Sequence, residues 1–370
     1  MTSAKWIGRS WTHRERRAKP WSNACLASPG PSPPPEQAGR LAAPAVAKQV
    51  TTRHADPMVL PVSSKPSSEA TARGRRTQPR RPAPASLTAV MRCDTAFRSA
   101  AGRYLRDLTA HQEATCGGDA RALHEMRIAL TRLRTIIAFF SPMVAGPQQA
   151  RLADELKWLN AHLGAVRDLD VAIERLKAIK PRPQAAYRSW SLERAGAQRH
   201  LTRALRSVKY QRLIKSISLW IEKGSWSTKT GRQAANERAC PVSEYGARKL
   251  MQWWEKLIKK SRRLREIGTK KRHRVRLLNK RLNYAIEAVA DLVSESEISR
   301  LQATLKLLRK AQRSLGQLND DARCQSLAAT LGQGGAGVFR IFLGPGHEKR
   351  LIRTAAATYQ KLAELKPFRI

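Results

Sequence analysis

Paired cysteines are missing from this chain. Cys25, Cys93, Cys116, Cys240 and Cys324 are scattered over 370 residues, and none forms a Cys-x-x-Cys pair. That removes the basis for a zinc site and for a disulfide framework. A reducing compartment, the cytoplasm, is the simplest reading. Long apolar runs are missing too. No stretch of about 18 apolar residues exists, so no membrane span is expected. The N-terminus lacks an apolar signal-peptide core. No alternating, β-branched run competes with helix. No carboxylate pair, nucleophile–base set or Gly-rich phosphate loop stands out. Neither an enzyme nor an ATP hydrolase is therefore expected, and no cofactor or metal is implied.

Negative charge is the scarcest commodity. The chain has 28 Asp and Glu against 70 Lys and Arg, a formal net charge of +42. Such an imbalance says little about fold but much about partners. It points to polyanions: nucleic acid, anionic lipid or a phosphate polymer.

The charge is not all in one place. Residues 1–90 carry 15 Lys and Arg and 4 Asp and Glu, which leaves +31 of the +42 on residues 91–370. Residues 1–87 also hold 13 of the 20 prolines, in segments such as SPGPSPPPEQAG and RGRRTQPRRPAPAS. They show no periodic apolar positions. A segment like this cannot bury enough surface to offset its ordering entropy, so a disordered basic tail is expected. It reads as a basic arm, an organelle-targeting segment, or sequence upstream of an internal start at Met58.

Beyond the tail the pattern is helical nearly throughout. The other seven prolines, at 142, 147, 181, 183, 241, 345 and 367, fall between periodic segments. The spacing predicts helices at 87–112, 119–141, 148–162, 166–178, 183–208, 210–222, 243–266, 270–293, 298–315, 318–331 and 347–364.

Two phrases occur twice. LHEMRIALTRLR (123–134) is matched by RHRVRLLNKRLNY (272–284). In the first, Met126, Leu130, Leu133, Ile137 and Phe140 form one apolar stripe, and His124, Arg127 and Arg134 form the stripe beside it. In the second, Val275, Leu282, Ile286 and Val289 take the apolar positions. His273, Arg276 and Lys280 take the basic ones, with Arg281 next to them. The second repeated phrase is LKWLNAHLGAVRDLDVAI (156–173), matched by LRKAQRSLGQLNDDARCQ (308–325). Each reads as a helix, a Leu-Gly pair and then a new helix. The histidines lie 149 residues apart and the Leu-Gly pairs 152 apart. Two motifs at nearly one offset indicate duplicated halves of about 130 residues, the size of a four-helix bundle.

These phrases resemble the CHAD domain, the conserved histidine α-helical domain, over roughly residues 88–370. The closing ATYQKLAELKPF resembles that family's C-terminal helix. The resemblance implies an all-α fold of two tandem, pseudo-twofold-related four-helix bundles, about 88–225 and 240–370. It implies a basic channel that binds inorganic polyphosphate, without catalysis, and an association with polyphosphate granules. Some family members carry a triphosphatase domain of the CYTH type, with a Glu-x-Glu-x-Lys stretch. The nearest match here, ESEIS at 295–299, ends in Ser and has no strands around it. Thr131 and Leu278 stand where relatives are often basic, and Asn283 stands where an Arg is expected.

The chemistry agrees with this reading. A phosphate polymer has about one negative charge per unit and no bases. Its receptor needs guanidinium forks and ammonium groups in series. Basic residues at helical spacing can track an extended polyanion. The candidate contacts are His124, Arg127, Arg134, Lys157, His273, Arg276, Lys280, Arg281 and Arg309. Lys157 and Arg309 enter because each lies seven residues before a Leu-Gly glycine. The plainer reading of these stripes is a solvated charged face, and of the histidines, packing between helices. Asp168 is expected to cap a helix that starts after Gly164, or to pair with an arginine of a partner helix. Residues 256–281 hold 13 Lys and Arg and one acid, Glu266. With Trp253 and Trp254 just upstream, they suggest the alternative: nonspecific, weak nucleic-acid binding.

Overall fold

The computed structural model describes residues 87–180, 183–330 and 346–370. The expected tail, up to residue 86, lies outside the described residues. So does the last residue of the helix expected at 318–331. The described residues are all-α, with no strand among them.

The helices are α1 (Cys93–Ala110), α2 (Gln112–Cys116), α3 (Ala120–Phe139), α4 (Ser141–Val144), α5 (Pro147–Lys177), α6 (Gln184–Arg206) and α7 (Val208–Lys223). They continue with α8 (Arg232–Ala239), α9 (Val242–Ser261), α10 (Thr269–Ala288), α11 (Ile298–Thr330) and α12 (His347–Glu364). Short 3-10 turns lie at Ser225–Thr228, Ala290–Leu292 and Glu295–Glu297.

Two expected breaks do not exist. The helices expected at 148–162 and 166–178 are one continuous helix, α5, and those expected from 298 and from 318 are one helix, α11, as far as Thr330. Gly164 and Gly316 sit inside them. A mid-helix glycine costs about 1 kcal/mol relative to alanine, and tertiary packing outweighs it. Leu159, Leu163 and Val166 of α5 are buried on either side of Gly164, as are Leu315 and Cys324 of α11 on either side of Gly316. Helix α8 carries no buried residue and shows no periodic stripe, so the sequence pattern missed it.

The stripes behave as their spacing requires. Met126, Leu130, Leu133, Ile137 and Phe140 are buried, and so are Val275, Leu282, Ile286 and Val289. Asp119 caps α3 by accepting the Arg121 and Ala122 backbone N–H groups at 2.7 and 3.2 Å. Gly118 precedes it with φ +87°, a backbone conformation that favours glycine.

Helix α1 packs on α3 and α7, and α5 packs on α3, α6 and α7. Helix α10 packs on α9 and α11, and α12 packs on α11 and α9. The two sets meet where α3 lies against α10 and α5 against α11. One hydrophobic core runs through both. A single bridge, Arg92 to Pro241, also joins them. There the Cys93 N–H donates to the Cys240 carbonyl at 3.0 Å and the Val242 N–H to Met91 at 2.8 Å. The consequence for function is direct. The helix carrying LHEMRIALTRLR lies against the helix carrying its repeat.

The aromatic residues belong mostly to the core. Trp254 is buried, and Trp253 meets Phe139 edge-on at 5.7 Å. Trp253 is half-buried and also lines a cavity with Lys249, Lys256 and Arg281.

Candidate functional site

The α3–α10 contact gathers cations. Helix α3 brings Arg127 and Arg134, with His124 at the exposed edge. Helix α10 brings Arg276, Lys280 and Arg281, with His273 at its own exposed edge. Arg127 and Arg276, equivalent in the two repeats, feel each other's charge. Burial lowers the Arg127 pKa first. Asp168 opposes this, while Arg167, Arg276 and Arg323 add to it. Burial also lowers that of Arg276, against the pull of Asp320, Tyr284 and Asp168.

These guanidiniums are incompletely satisfied. Arg127 Nη1 and Arg276 Nε are shut off from solvent and have no hydrogen-bond partner among the described residues. A buried donor left unpaired costs about 1–3 kcal/mol, and more when charged. An anionic oxygen entering here would remove that cost.

The neighbouring groups feel the same field. Burial depresses the Arg134 pKa, and Arg281 adds to the effect. Burial and then Arg167 depress that of His124, with Glu125 opposing. Lys280 is pushed down to about 8 by burial, then by Arg276, Arg127 and Arg134, with Asp320 opposing. His273 is held differently: its Nδ1 lies 3.0 Å from Asn319 Oδ1 on α11.

Three cavities follow α10. One, of about 470 Å³, is lined by Arg272, His273, Arg276, Asn319 and Lys349 among others. One turn on, a cavity of about 340 Å³ is lined by Arg134, Lys157, Lys280 and Arg281. Arg281 also borders a third, of about 380 Å³, with Lys249 and Lys256. All three are open to solvent on a basic wall.

A family model described as the CHAD domain matches residues 99–329. The chain belongs to the CHAD domain family. Among solved structures, the crystal structure of the CHAD domain from the plant Ricinus communis is 22% identical. That likeness covers 79% of this chain and 98% of that one, with a TM-score of 0.64. PptA from Streptomyces chartreusis is 16% identical, over 74% of this chain and 98% of that one, with a TM-score of 0.50. At these identities the likeness is one of fold. No curated protein matches the chain.

Within this CHAD domain the expected site residues fall into two groups. Arg127, Arg134, Arg276, Lys280 and Arg281 come together, with His124 and His273 at the edges. Arg309 stands apart, and Lys157 reaches the group only at its edge. Lys157 is exposed on the rim of the second cavity and pairs with Asp154 at 2.5 Å. Arg309 is exposed and pairs with Glu287 at 2.9 Å, the same carboxylate that takes Arg132 at 3.4 Å. Asp168 does not cap a helix, since α5 runs on through it. It pairs with Arg323 of α11 at 2.8 Å, as the partner-helix reading expected.

The Leu-Gly motif also changes meaning. A Cβ on Gly164 would stand 3.3 Å from Arg127 Nη1. The glycine leaves room for the guanidinium instead of ending a helix. Gly316 has open space around it, with nothing within 4 Å. Asp168 and Asp320, each four residues after its glycine, face Arg127 and Arg276. Sequence reasoning did not place Arg167, Arg323, Asn319 or Lys249 at the site. The Arg167-Asp168 and Asn319-Asp320 match was the signal that could have found the first and third. No group of three or more His, Cys, Asp and Glu converges among the described residues to hold a metal. The four described cysteines are free.

Proposed function

We propose that this CHAD domain binds inorganic polyphosphate, without catalysis, along the basic wall between α3 and α10. The observation that carries the reading is the facing pair Arg127 and Arg276, each with a buried N–H that has no partner. Guanidinium forks suit phosphate oxygens, and the two unpaired donors come from equivalent positions of two repeats of one motif. The cavities supply the rest. Arg276, then Lys280, then Arg281 with Lys249 and Lys256 form a series. A series of anion subsites suits a polymer better than a single phosphate. We read the helix sets within 88–225 and 240–370 as duplicated, pseudo-twofold halves, which explains why the contacts are doubled. The reading extends to polyphosphate granules in the cytoplasm. No helix among the described residues is long and apolar enough to cross a membrane.

Nonspecific nucleic-acid binding draws on the same charge. Of the two tryptophans that suggested it, Trp254 is packed into the core, while Trp253 is half-buried, meets Phe139 edge-on and borders the cavity of Lys249, Lys256 and Arg281.

Chain length tests the proposal. The full chain is titrated with labelled long-chain polyphosphate, then challenged with orthophosphate, tripolyphosphate and unlabelled polymer at equal total phosphate. Affinity per phosphate should climb steeply from the first to the last. Equal competition by orthophosphate would mean isolated anion sites and would defeat the reading.

A further inference from the structure

We propose that Lys280 is a proton-gated contact of this site: in mildly alkaline solution it gives up its proton while the site is empty and regains it from solvent when a phosphate chain enters. The inference rests on the polyphosphate reading and adds its regulation.

The geometry sets the demand. Lys280 lies on α10, half-buried, one turn past Arg276 and beside Arg281. Its ammonium sits 5.7 Å from the Tyr284 ring centre. Helix α3 presents His124, Arg127 and Arg134 towards it. Helix α5 presents Lys157, on the shared cavity. Helix α11 presents Asp320. Lys280 has no hydrogen bond or ion pair to a carboxylate among the described residues. A lysine among three arginines, with one carboxylate facing it, is the member of the cluster able to shed its charge at mild pH. The arginines keep theirs.

Two titratable neighbours, His124 and Tyr284, stay out of the relevant range in the empty site. Burial holds the Lys280 pKa near 8. His124 is depressed below the ordinary histidine value, so it is already neutral there. Burial raises the Tyr284 hydroxyl, against Arg132 and Arg276 and with Glu287 and Glu125, so it stays protonated. Interior phosphates of a long chain are fully ionised throughout. A bound polyanion supplies the negative charge that Lys280 lacks and lifts its pKa back towards the ordinary lysine range.

The sign follows from linkage. The bound form holds one more proton than the empty form between the two pKa values, so affinity falls as pH rises through about 8. Between pH 7 and pH 9 the dissociation constant should rise about tenfold. At pH 8, binding should take up about half a proton per chain.

The experiment is calorimetric titration of the full chain with long-chain polyphosphate at pH 7, 8 and 9. At pH 8 it is repeated in two buffers of different ionisation enthalpy, which counts the protons taken up. The wild-type chain should show both the tenfold weakening and the half-proton uptake. Lys280→Met, neutral at every pH, should lose both and bind weakly throughout. Lys280→Arg, charged at every pH, should also lose both. Binding by the wild type with a flat pH profile and no proton uptake would overturn this inference and leave the functional reading standing. Proton uptake that persists in both variants would also overturn it. Absence of binding at every pH would overturn both.

Discussion

Replacing Arg127 and Arg276 together by methionine should abolish most polyphosphate binding and leave the fold at least as stable. Hydrogen bonds to a charged group contribute about 1.5–3 kcal/mol each. Losing one such contact on each arginine predicts an affinity loss of about 10²- to 10⁴-fold. The stability expectation has the opposite sign. Both side chains keep a buried N–H without a partner, burial disfavours both charges, and Arg276 adds to the effect on Arg127. Replacing a buried, incompletely hydrogen-bonded charge by an apolar side chain of similar length is neutral or stabilising. The two readouts are calorimetric affinity and the thermal melting temperature. Unaltered affinity would show that the α3–α10 wall is not the site. A melting temperature lower by many degrees would show that the arginines hold the helices together.

Trp226→Ala should destabilise the protein by about 3–5 kcal/mol, the cost of deleting a large buried aromatic side chain. Trp226 is buried in the 3-10 turn after α7. It meets Phe97 edge-on at 5.1 Å, and its Nε1–H donates to the Trp220 carbonyl at 2.7 Å. The Arg98 guanidinium covers the other ring face at 4.9 Å. The turn has no slack, because a Cβ on Gly224 would come within 2.5 Å of the Trp220 carbonyl oxygen. The loss is a large share of the 5–15 kcal/mol that stabilises a typical domain. Urea denaturation followed by circular dichroism measures it. A shift under about 1 kcal/mol would mean that the turn is not packed as described.

The fold was legible wherever one helix face decides burial. The stripe from Met126 to Phe140 and the stripe from Val275 to Val289 follow from periodicity alone, because apolar residues three and four apart must share a face. The interruption of α5 and α11 was misread for a physical reason. A Leu-Gly pair followed by polar residues looks locally like a helix end, but the neighbouring leucines are buried and carry the helix through. What Gly164 does depends on Arg127, 37 positions earlier in the chain. No local signal carries that. The site was legible in part. Spacing identified the basic stripes, and the repeat indicated that they belong together. That Arg127 and Arg276 face one another is a property of how α3 meets α10. Lys157 and Arg309 were chosen by matched position, and each has a carboxylate within reach that spacing could not reveal. Lys249 lies on a different helix from both stripes and joins the wall only through tertiary packing.

The central claim is that this wall is shaped for a phosphate polymer rather than merely positive. The most direct measurement is a competition titration at near-physiological salt. The full chain, saturated with labelled long-chain polyphosphate, is challenged with duplex DNA, RNA and heparin at matched charge concentration. Charge alone would make these competitors equivalent, since each releases counterions in the same way. The account predicts that polyphosphate stays bound against a large excess of each. Equal displacement by all of them would contradict it and would leave nonspecific polyanion binding as the better description.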